Sequence, residues 1–339
     1  FENDLEVYFN NKRKVVALNS GTSAIHLALI LAGVEEDDLV ICQSFTFVAS
    51  VNPILYLGAT PVFIDSEKDT WNMCPLVLEE AIKDLLLNGK KPKAIIVVHL
   101  YGTPAKMDEI LAISLKYDIK LVEDAAEALG ATYKGQKCGT FGDFGIISFN
   151  ENKIISTSGG GALVCKTKKE KNKAIFLATQ ARDEAPYYQH SVLGYNYRMS
   201  NVLASIGSVQ MNFLSKNLIL RREMHFFYKD LFKNAHGIEI YEMLPNKNKS
   251  NHWLNCIVIN VKVTGFTKED IRVRLEKANI ESRLLWKPMH LQPIFKEYPY
   301  YGAIVSETFF NTGLCLPSGS NLSIRDKVRI SEVLSSFLK

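Results

Sequence analysis

The chain has 339 residues, of which 47% are hydrophobic and 22% are charged. This composition is typical of a folded globular protein and argues against a disordered chain. The 40 basic and 36 acidic residues leave a formal net charge of only +4, which gives little support to a nucleic-acid-binding regulator. At about 100–200 residues per domain, the length predicts two domains.

Segments that direct a protein to a membrane or across it are not visible. No run approaches the roughly 20 apolar residues that a membrane span needs, and no signal peptide is seen. The six cysteines form no CxxC pair, so we expect reduced thiols, no metal site and a cytoplasmic location. The chain begins at Phe1 inside a helical pattern and without a Met, so we expect that residues precede it.

Short apolar runs alternate with helical patterns over the first two thirds of the chain. The alternation predicts a mostly parallel sheet with crossover helices, because strands buried on both faces read as unbroken apolar runs. The last two of these strands are close enough in sequence for a hairpin. The predicted strands are 15–18, 38–42, 61–64, 94–100, 121–124, 144–149 and 161–165, and the predicted helices are 22–32, 47–57, 76–87 and 107–117.

The last third has a different pattern, which predicts a smaller α+β domain. A long helical pattern runs from 202 to about 228, and the strand 256–261 follows it. Helices are predicted at 267–278 and 324–338, each after a capping residue. We therefore predict a large α/β domain over residues 1–210 and a small C-terminal α+β domain over residues 211–339.

Several well-known catalytic motifs are missing from the sequence. There is no GxGxxG after the first strand, no Walker GxxxxGK, no HExxH and no GxSxG. Their absence argues against ordinary nicotinamide-dependent, nucleotide-hydrolysing, zinc-protease and α/β-hydrolase functions.

A turn of small residues, Asn19-Ser-Gly-Thr-Ser-Ala24, joins the first predicted strand to the first helix. Gly21 allows the backbone to approach a ligand closely. Thr22 and Ser23 place amides and hydroxyls at the helix N-terminus, where a phosphate group binds well. Taken alone, the turn is more typical of an ordinary capped helix.

A carboxylate and a lysine follow two later strands. Asp124 ends the strand 121–124, at the edge of an α/β sheet where ligands bind. It suits the pyridinium nitrogen of pyridoxal phosphate, which needs an anionic partner, although a helix N-cap is an equally good interpretation. Lys153 lies between the strand 144–149 and the glycine-rich turn 156–161. A desolvated lysine at such a place is a nucleophile, whereas a single lysine is usually a surface residue.

These three features occur in one order within one predicted domain. In this combination the chain resembles the DegT/DnrJ/EryC1/StrS family of sugar aminotransferases over essentially its whole length. The resemblance implies a three-layer α/β fold of fold type I, aspartate aminotransferase-like, with a mostly parallel central sheet and with pyridoxal 5'-phosphate as cofactor. The stretches that carry it are Asn19–Ala24, Gln43–Ala49, His99–Gly102, Glu123–Ala126, Gly142-Asp143, Ser148–Lys153, Gly194–Asn201 and Trp286–His290.

The resemblance also implies roles for individual residues. Lys153 carries the cofactor as a Schiff base, and Asp124 pairs with the pyridine nitrogen. Phe47 stacks on the cofactor ring, although its pattern also fits a core aromatic, and Glu127 lies near the phenolic oxygen. Asn196 reaches the cofactor phosphate of a neighbouring subunit, which implies a homodimer with active sites at the interface. The residues implied to bind the cofactor are Gly21, Thr22, Ser23, Phe47, Asp124, Glu127, Ser148, Lys153 and Asn196.

A C-terminal stretch, 281–290, resembles a substrate-side segment of the family. Trp286 and Lys287 are candidates to contact a nucleotide and its phosphates, and His290 is a candidate for the sugar region. His190 is a second histidine candidate. A core position for Trp286 and a structural role for either histidine are equally consistent with the sequence.

The resemblance implies transfer of an amino group from glutamate to a keto sugar. The stretches 148–155 and 281–293 look closest to enzymes that aminate C4 of UDP-4-keto-6-deoxy-N-acetylglucosamine on the route to bacillosamine-type sugars, with GDP-perosamine synthase as the alternative. Two positions depart from the expected pattern: Glu151 replaces a usual Gly, and Leu284 replaces a usual Pro.

Two other functions are weighed against the aminotransferase. Some family members carry His at the position of Lys153 and act as dehydrases, and a non-catalytic sensor would bind the cofactor only. Lys153 argues against the dehydrase, and the full set of Asp124, Lys153 and Ser148 argues against the sensor. The stereochemistry of the sugar and the final glycan stay open.

Overall fold

The computed structural model describes residues 1–242 and 248–338. The strands are β1 (Lys14–Leu18), β2 (Leu39–Gln43), β3 (Thr60–Ile64), β4 (Ala94–Val98), β5 (Lys120–Asp124), β6 (Thr132–Tyr133), β7 (Gln136–Lys137), β8 (Phe144–Ser148), β9 (Gly161–Cys165), β10 (Ile238–Ile240), β11 (Asn255–Ile259), β12 (Arg283–Leu284), β13 (Tyr300–Tyr301) and β14 (Gly313–Leu316). The helices are α1 (Glu2–Tyr8), α2 (Gly21–Leu31), α3 (Asn52–Tyr56), α4 (Pro75–Leu87), α5 (Met107–Tyr117), α6 (Lys168–Ala178), α7 (Asn201–Met211), α8 (Leu214–Phe232), α9 (Val261–Thr264), α10 (Lys268–Lys277), α11 (Val305–Thr312) and α12 (Ile324–Leu334).

The larger sheet has eight strands in the order β1-β9-β8-β5-β4-β2-β3-β13. Six consecutive strands in this order are parallel to one another, which confirms the mostly parallel sheet. They are β8, β5, β4, β2, β3 and β13. The predicted hairpin is also confirmed, because β8 and β9 pair antiparallel. The first strand differs from the expected parallel pairing: β1 joins the sheet through β9 and is antiparallel to it.

Helices cover both faces of the larger sheet. The central strand β4 is buried at all five positions, as its unbroken run of Ala, Ile and Val predicts. On one face, α2 packs with α3 and α6 over one apolar cluster. On the other face, α4 and α5 cover a second cluster. The result is the helix–sheet–helix arrangement of fold type I.

Two predicted helices are each divided in the structure. The segment predicted as one helix over 47–57 is a short 3-10 turn, Val48–Ser50, followed by α3. Pro53 has no N–H to continue the turn before it, so it stands in the first turn of a new helix. The helix predicted over 202–228 divides into α7 and α8 at Asn212 and Phe213. Neither residue is a helix breaker, so the pattern contains no signal for this division.

A smaller sheet lies in the last third, with the order β10-β11-β14-β12. Helices α8, α10 and α12 pack on it through one apolar cluster. The strand β13 instead pairs with β3 of the larger sheet, although it belongs to the last third of the chain. The domain division at residue 210 stays a prediction, and its second part includes residues 243–247 and 339, which lie outside the described residues.

An apolar cluster connects the two sheets and shapes the space between them. It joins Phe45 and Tyr101, which follow strands of the larger sheet, to Trp253, Cys256 and Cys315 of the smaller one. A cavity opens beside this cluster. In the described part of the chain, no helix has the length and apolar content to cross a membrane.

Candidate active site

Three turns meet at one edge of the larger sheet, at the carboxyl ends of β1, β8 and β5. Strands β5 and β8 are parallel neighbours, with Asp124 opposite Ile146, and β9 brings the end of β1 to the same edge. A Cβ added to Gly21 would lie 3.4 Å from the Cβ of Ser148, so the turn after β1 touches the end of β8. This edge is where open α/β sheets bind their ligands.

A cavity of about 1160 Å³ opens at this edge. Residues 279–284 and 316–319 of the smaller sheet region also line it. Most of the predicted site residues meet on its surface, although they are up to 265 positions apart in sequence (Gly21 to Trp286). The predicted site residues that line it are Gly21, Thr22, Phe47, Asp124, Glu127, Ser148, Lys153 and Trp286.

The first turn of α2 contributes hydrogen-bond donors to the cavity. Ser20 caps the helix, and its hydroxyl accepts a hydrogen bond from the amide of Ser23 at 3.0 Å. Gly21 and Thr22 begin the helix, where amides have no partner within the helix. Together with the hydroxyl of Ser148, these groups form a cradle suited to a phosphate.

Lys153 lies in the connection between β8 and β9, with its side chain 13% exposed. Its Nζ is 3.9 Å from Oε1 of Glu127 and 4.0 Å from the centre of the Trp253 ring. Burial lowers the pKa of Lys153, while the carboxylates of Glu127 and Asp124 oppose that shift. A buried amine of this kind is neutral more often than a surface lysine, and the neutral amine is the nucleophile.

Asp124 ends β5 with its carboxylate held at both oxygens. Oδ2 accepts a hydrogen bond from the hydroxyl of Ser50 at 2.7 Å, and Oδ1 accepts one from the amide of Ala126 at 3.1 Å. Ser50 is in turn within 2.8 Å of the Thr46 hydroxyl. The carboxylate therefore has a fixed orientation at the cavity wall.

Glu127 follows β5 by three residues, and its carboxylate faces Lys153. Its Oε2 accepts a hydrogen bond from the amide of Tyr101 at 2.6 Å. Burial raises the pKa of Glu127 to about 7, because the charged form loses its hydration; Lys153 lowers it and Asp124 raises it. Glu127 and Lys153 thus form a buried pair in which each group shifts the pKa of the other.

A family model described as "DegT/DnrJ/EryC1/StrS aminotransferase family" matches residues 1–335. The chain belongs to this family. The protein EpsN of Bacillus subtilis (strain 168), provisionally named as a pyridoxal phosphate-dependent aminotransferase, is 49% identical over 326 residues, covering 95% of this chain and 83% of EpsN. The GDP-perosamine synthase of Escherichia coli O157:H7 is 34% identical, over 97% of this chain and 86% of that protein.

Further relatives and solved structures agree with this membership. A UDP-4-amino-4,6-dideoxy-N-acetyl-beta-L-altrosamine transaminase of Campylobacter jejuni (serotype O:23/36) is 32% identical, over 100% of this chain and 89% of that protein. An aminotransferase of the same family from Brucella abortus superposes with a TM-score of 0.91 at 29% identity, covering 99% of this chain and 89% of that one. The chain is a pyridoxal phosphate-dependent aminotransferase of fold type I.

The residues at the cavity fit pyridoxal phosphate in three chemical respects. The cradle at α2 and Ser148 suits the phosphate, because the residues that begin α2 and the Ser148 side chain line the cavity together. Asp124 supplies the carboxylate that a pyridinium nitrogen needs. Lys153 supplies a desolvated amine in the same cavity.

The stability of the cofactor-free protein should depend on pH through Glu127. The pKa of Glu127 rises from 4.5 in the unfolded chain to about 7 on folding. Its contribution to the free energy of unfolding is therefore complete below pH 4.5 and is lost as the pH rises through 7. In Glu127→Gln this loss should disappear, which is a change of at most about 3 kcal/mol in the free energy of unfolding. Urea unfolding at pH 5 and pH 8 measures it. Glu151→Gln, at an exposed position, is the control that should keep the wild-type pH dependence.

Five predicted site residues do not line the cavity. The hydroxyl of Ser23 donates to Oδ1 of Asn19 at 2.7 Å. Lys287 is half-buried, and Asn196 is exposed, with its carbonyl accepting from the side-chain amide of Asn19. Their roles, like those of the residues that line the cavity, stay predictions.

The two histidine candidates also lie outside the cavity. His190 is exposed, and its Nδ1 is 2.8 Å from the carbonyl of Gln180. His290 contacts the hydroxyl of Ser44 at 2.6 Å and stacks on Tyr300 at 3.8 Å. Through its contact with Ser44, His290 holds the stretch 288–290 against the end of β2, which is a structural role.

Sequence reasoning missed three residues at the site, namely Ser50, Trp253 and Arg221. Ser50 holds Asp124, Trp253 lies beneath Lys153, and Arg221 lines the cavity from α8. None of them belongs to a motif with a recognisable spacing. Glu151 and Leu284, the two departures from the expected pattern, both line the cavity.

Proposed function

We propose that the protein transfers the amino group of glutamate to the C4 keto group of a nucleotide-linked 4-keto-6-deoxy sugar. The observation that carries the proposal is the grouping of Lys153, Glu127 and Asp124 in one cavity beside a phosphate cradle. Two relatives are named after nucleotide-linked sugars. One is named after a GDP-linked sugar and the other after a UDP-linked sugar. These names support a nucleotide-sugar acceptor here.

The acceptor we favour is UDP-4-keto-6-deoxy-N-acetylglucosamine, for a glycan built from bacillosamine-type sugars. The support is the resemblance of the stretches 148–155 and 281–293 to enzymes with that substrate. The second stretch includes residues that line the same cavity as Lys153. A GDP-linked acceptor is the second candidate, favoured by the 34% identity to a GDP-perosamine synthase.

Different residues of this chain have different roles in the proposed reaction. When bound, pyridoxal phosphate supplies a ring that accepts electrons from the carbon losing its proton. Asp124 holds a negative charge at the cavity wall, and Ser50 and the amide of Ala126 fix its direction. Gly21, Thr22 and Ser148 bind the phosphate and so fix the position of the ring.

Lys153 is the group that we propose moves the proton. Its Nζ is buried, and a lowered pKa makes the neutral amine, which accepts a proton, more abundant. Glu127, 3.9 Å away, holds or releases a proton near neutral pH and so adjusts the charge of the pair. Phe47 and Trp286, with ring centres 5.5 Å apart, add apolar surface to the cavity.

The cavity has room for both substrates in turn. Its volume of about 1160 Å³ is slightly larger than that of ordinary ligand sites, which measure roughly 300–1,000 Å³. Residues 279–284, Lys153 and the first turn of α2 all line this one cavity.

The proposed function is tested by incubating the protein with pyridoxal phosphate, glutamate and either UDP-4-keto-6-deoxy-N-acetylglucosamine or GDP-4-keto-6-deoxymannose. Mass spectrometry then detects the amino sugar. We expect product from the UDP sugar. Product from the GDP sugar alone would select the second candidate. If glutamate and other amino donors leave the cofactor spectrum unchanged, the protein is a cofactor-binding sensor and the proposal is wrong.

We also propose a homodimer in which Asn196 reaches the cofactor phosphate of the partner. One face of α7 leaves Val202, Ile206 and Val209 exposed by 71%, 42% and 57%, at a spacing that places them side by side. Such a patch marks an interaction surface. Asn196 is exposed just before this helix, so a second copy seated on α7 would lie close to it.

Sedimentation equilibrium should give twice the mass of one chain. Ile206→Asp should shift the protein towards monomers and lower its activity, because a carboxylate would be buried without a partner at the interface. Val263→Asp, on α9, is a matched control at 58% exposure and should leave the mass unchanged. A wild-type protein that sediments as a monomer would contradict the proposal.

A further inference from the structure

Two cysteines face each other across the smaller sheet, beside the active-site cavity. Cys256 of β11 and Cys315 of β14 are directly opposed in the antiparallel pairing of these strands. Their Sγ atoms are 3.6 Å apart. Among residues 1–242 and 248–338, which include all six cysteines, this is the only pair whose sulfur atoms lie at hydrogen-bonding distance.

The backbone at this pair has the geometry that a disulfide needs. Directly opposed residues of an antiparallel pair have Cα atoms about 4.5–5.5 Å apart, and disulfides join Cα atoms about 4.4–6.8 Å apart. A disulfide bond is about 2.05 Å long, so bond formation requires the two sulfur atoms to approach by only about 1.5 Å. Rotation of the two side chains provides most of this movement, and the strands can stay paired.

The two thiols differ in their access to small molecules. Cys315 is 6% exposed and lines the same cavity as Lys153, whereas Cys256 is fully buried. Burial raises the pKa of Cys256, because its thiolate would lose hydration. An oxidant that enters the cavity therefore reaches Cys315 first, and Cys256 is in place to react with the product formed there.

We propose that Cys256 and Cys315 form a reversible disulfide when a small peroxide enters the cavity, and that this bond slows amino transfer. Hydrogen peroxide gives one oxygen to the Cys315 sulfur, which becomes a sulfenic acid, and the thiol proton leaves with the other oxygen as water. The Cys256 sulfur then attacks the Cys315 sulfur. The S–S bond forms as the S–O bond breaks, and the hydroxyl leaves with the Cys256 proton as a second water. The cysteines lose two electrons, which the peroxide gains.

The contact between the two thiols favours the disulfide over further oxidation of Cys315. A reacting group that is already in contact has a very high effective concentration, so the second step competes well with a second peroxide molecule. A thiol reductant reverses the bond by exchange, with Cys315 as the sulfur that it can reach from the cavity.

Tyr101 is the residue through which the disulfide acts on the active site. It packs in the same apolar cluster as both cysteines. Its amide donates to Oε2 of Glu127 at 2.6 Å, and its hydroxyl accepts from the amide of Trp286 at 3.1 Å. Drawing the two sulfur atoms together changes the packing around Tyr101, and a misplacement of about 1 Å at a site can lower a rate 10²-fold.

The disulfide is tested by treating the protein, loaded with pyridoxal phosphate, with hydrogen peroxide and then alkylating the remaining thiols in denaturant. Two of the six thiols should be lost, and mass spectrometry should find peptides linked through Cys256 and Cys315. Dithiothreitol should restore both thiols. Retention of all six thiols, or oxidation only at Cys74, which is half-buried, would overturn the proposal.

Three variants test the order of the two steps. Cys256→Ala and Cys315→Ala each remove one partner, and Cys74→Ala is the matched control that should still form the disulfide. In Cys256→Ala, peroxide should leave a sulfenic acid on Cys315 that dimedone labels, whereas Cys315→Ala should show no label on Cys256. Labelling of Cys256 instead would contradict the proposed order. Thermal unfolding is recorded for each variant, and either cysteine variant provides a test if the other does not fold.

The effect on activity is measured separately and rests on the proposed use of glutamate. With glutamate, the spectral change of the cofactor should slow about 10- to 100-fold in the oxidised wild type and recover with dithiothreitol. Cys315→Ala treated with peroxide should keep the rate of its own untreated form. An unchanged rate in wild type that carries the disulfide would show that the bond does not control activity. If untreated wild type does not respond to glutamate, the proposed function fails, while the linked peptides still decide whether the disulfide forms.

Discussion

Replacing Lys153 with alanine is expected to reduce turnover by at least about 10²- to 10⁴-fold, the range assigned to a positioned acid–base group. The loss should exceed that of any other single change at the site, because we propose that Lys153 both holds the cofactor and moves the proton. Its Nζ is the only amine placed against Glu127 among the described residues. Product formation measured by mass spectrometry gives the size of the effect.

The covalent link gives a second measurement for Lys153. Borohydride should fix pyridoxal phosphate to the peptide that contains Lys153 in the wild type, and Lys153→Ala should retain no fixed cofactor. Lys166→Ala is the matched control, since Lys166 pairs with Asp143 at the surface and lies outside the cavity. Cofactor fixed to another lysine in the wild type, or full activity in Lys153→Ala, would contradict the assignment.

Asp124→Asn is expected to reduce turnover on the order of 10²- to 10³-fold, as for other lost electrostatic contacts in active sites. The amide has almost the same shape as the carboxylate and can keep contacts with Ser50 and Ala126. It carries no charge, however, so it cannot stabilise a positive charge on the pyridine nitrogen. The fall should therefore appear in kcat, while the protein remains folded.

Ser50→Ala separates the charge of Asp124 from its orientation. This change removes one hydrogen bond to Oδ2 and leaves the carboxylate charged. We expect a loss of about tenfold or less, in keeping with one hydrogen bond to a charged group. A loss in Ser50→Ala as large as in Asp124→Asn would mean that orientation, and not charge, is what Asp124 contributes.

The sequence was sufficient to predict the parts of the site that lie next to strands. Asp124 and Ser148 end β5 and β8, and Gly21 and Thr22 begin the helix after β1, so the sheet itself brings them together. The same logic predicted the mostly parallel sheet and the hairpin of β8 and β9. The antiparallel pairing of β1 with β9 could not be predicted, because the sequence of one apolar strand does not indicate its direction relative to its neighbours.

Contacts between distant segments could not be predicted in this way. Ser50 meets Asp124 across 74 positions, and Arg221 meets Trp253 across 32, without any local pattern at either end. Arg221 reads as part of a solvated helix, because its burial depends on how α8 packs on the smaller sheet. His290 was selected for its motif, yet its position is determined by packing against Ser44 and Tyr300.

The place of β9 between β1 and β8 has a consequence for how the protein folds as it is made. Leu18 pairs with Gly161, so the first strand has no neighbour in the sheet until more than 140 further residues have been synthesised. Contacts between segments so far apart form slowly, since a long loop must close first. The phosphate cradle after β1 and the lysine between β8 and β9 therefore become one site late, and the nascent chain can bind its cofactor fully only after the edge of the sheet has closed.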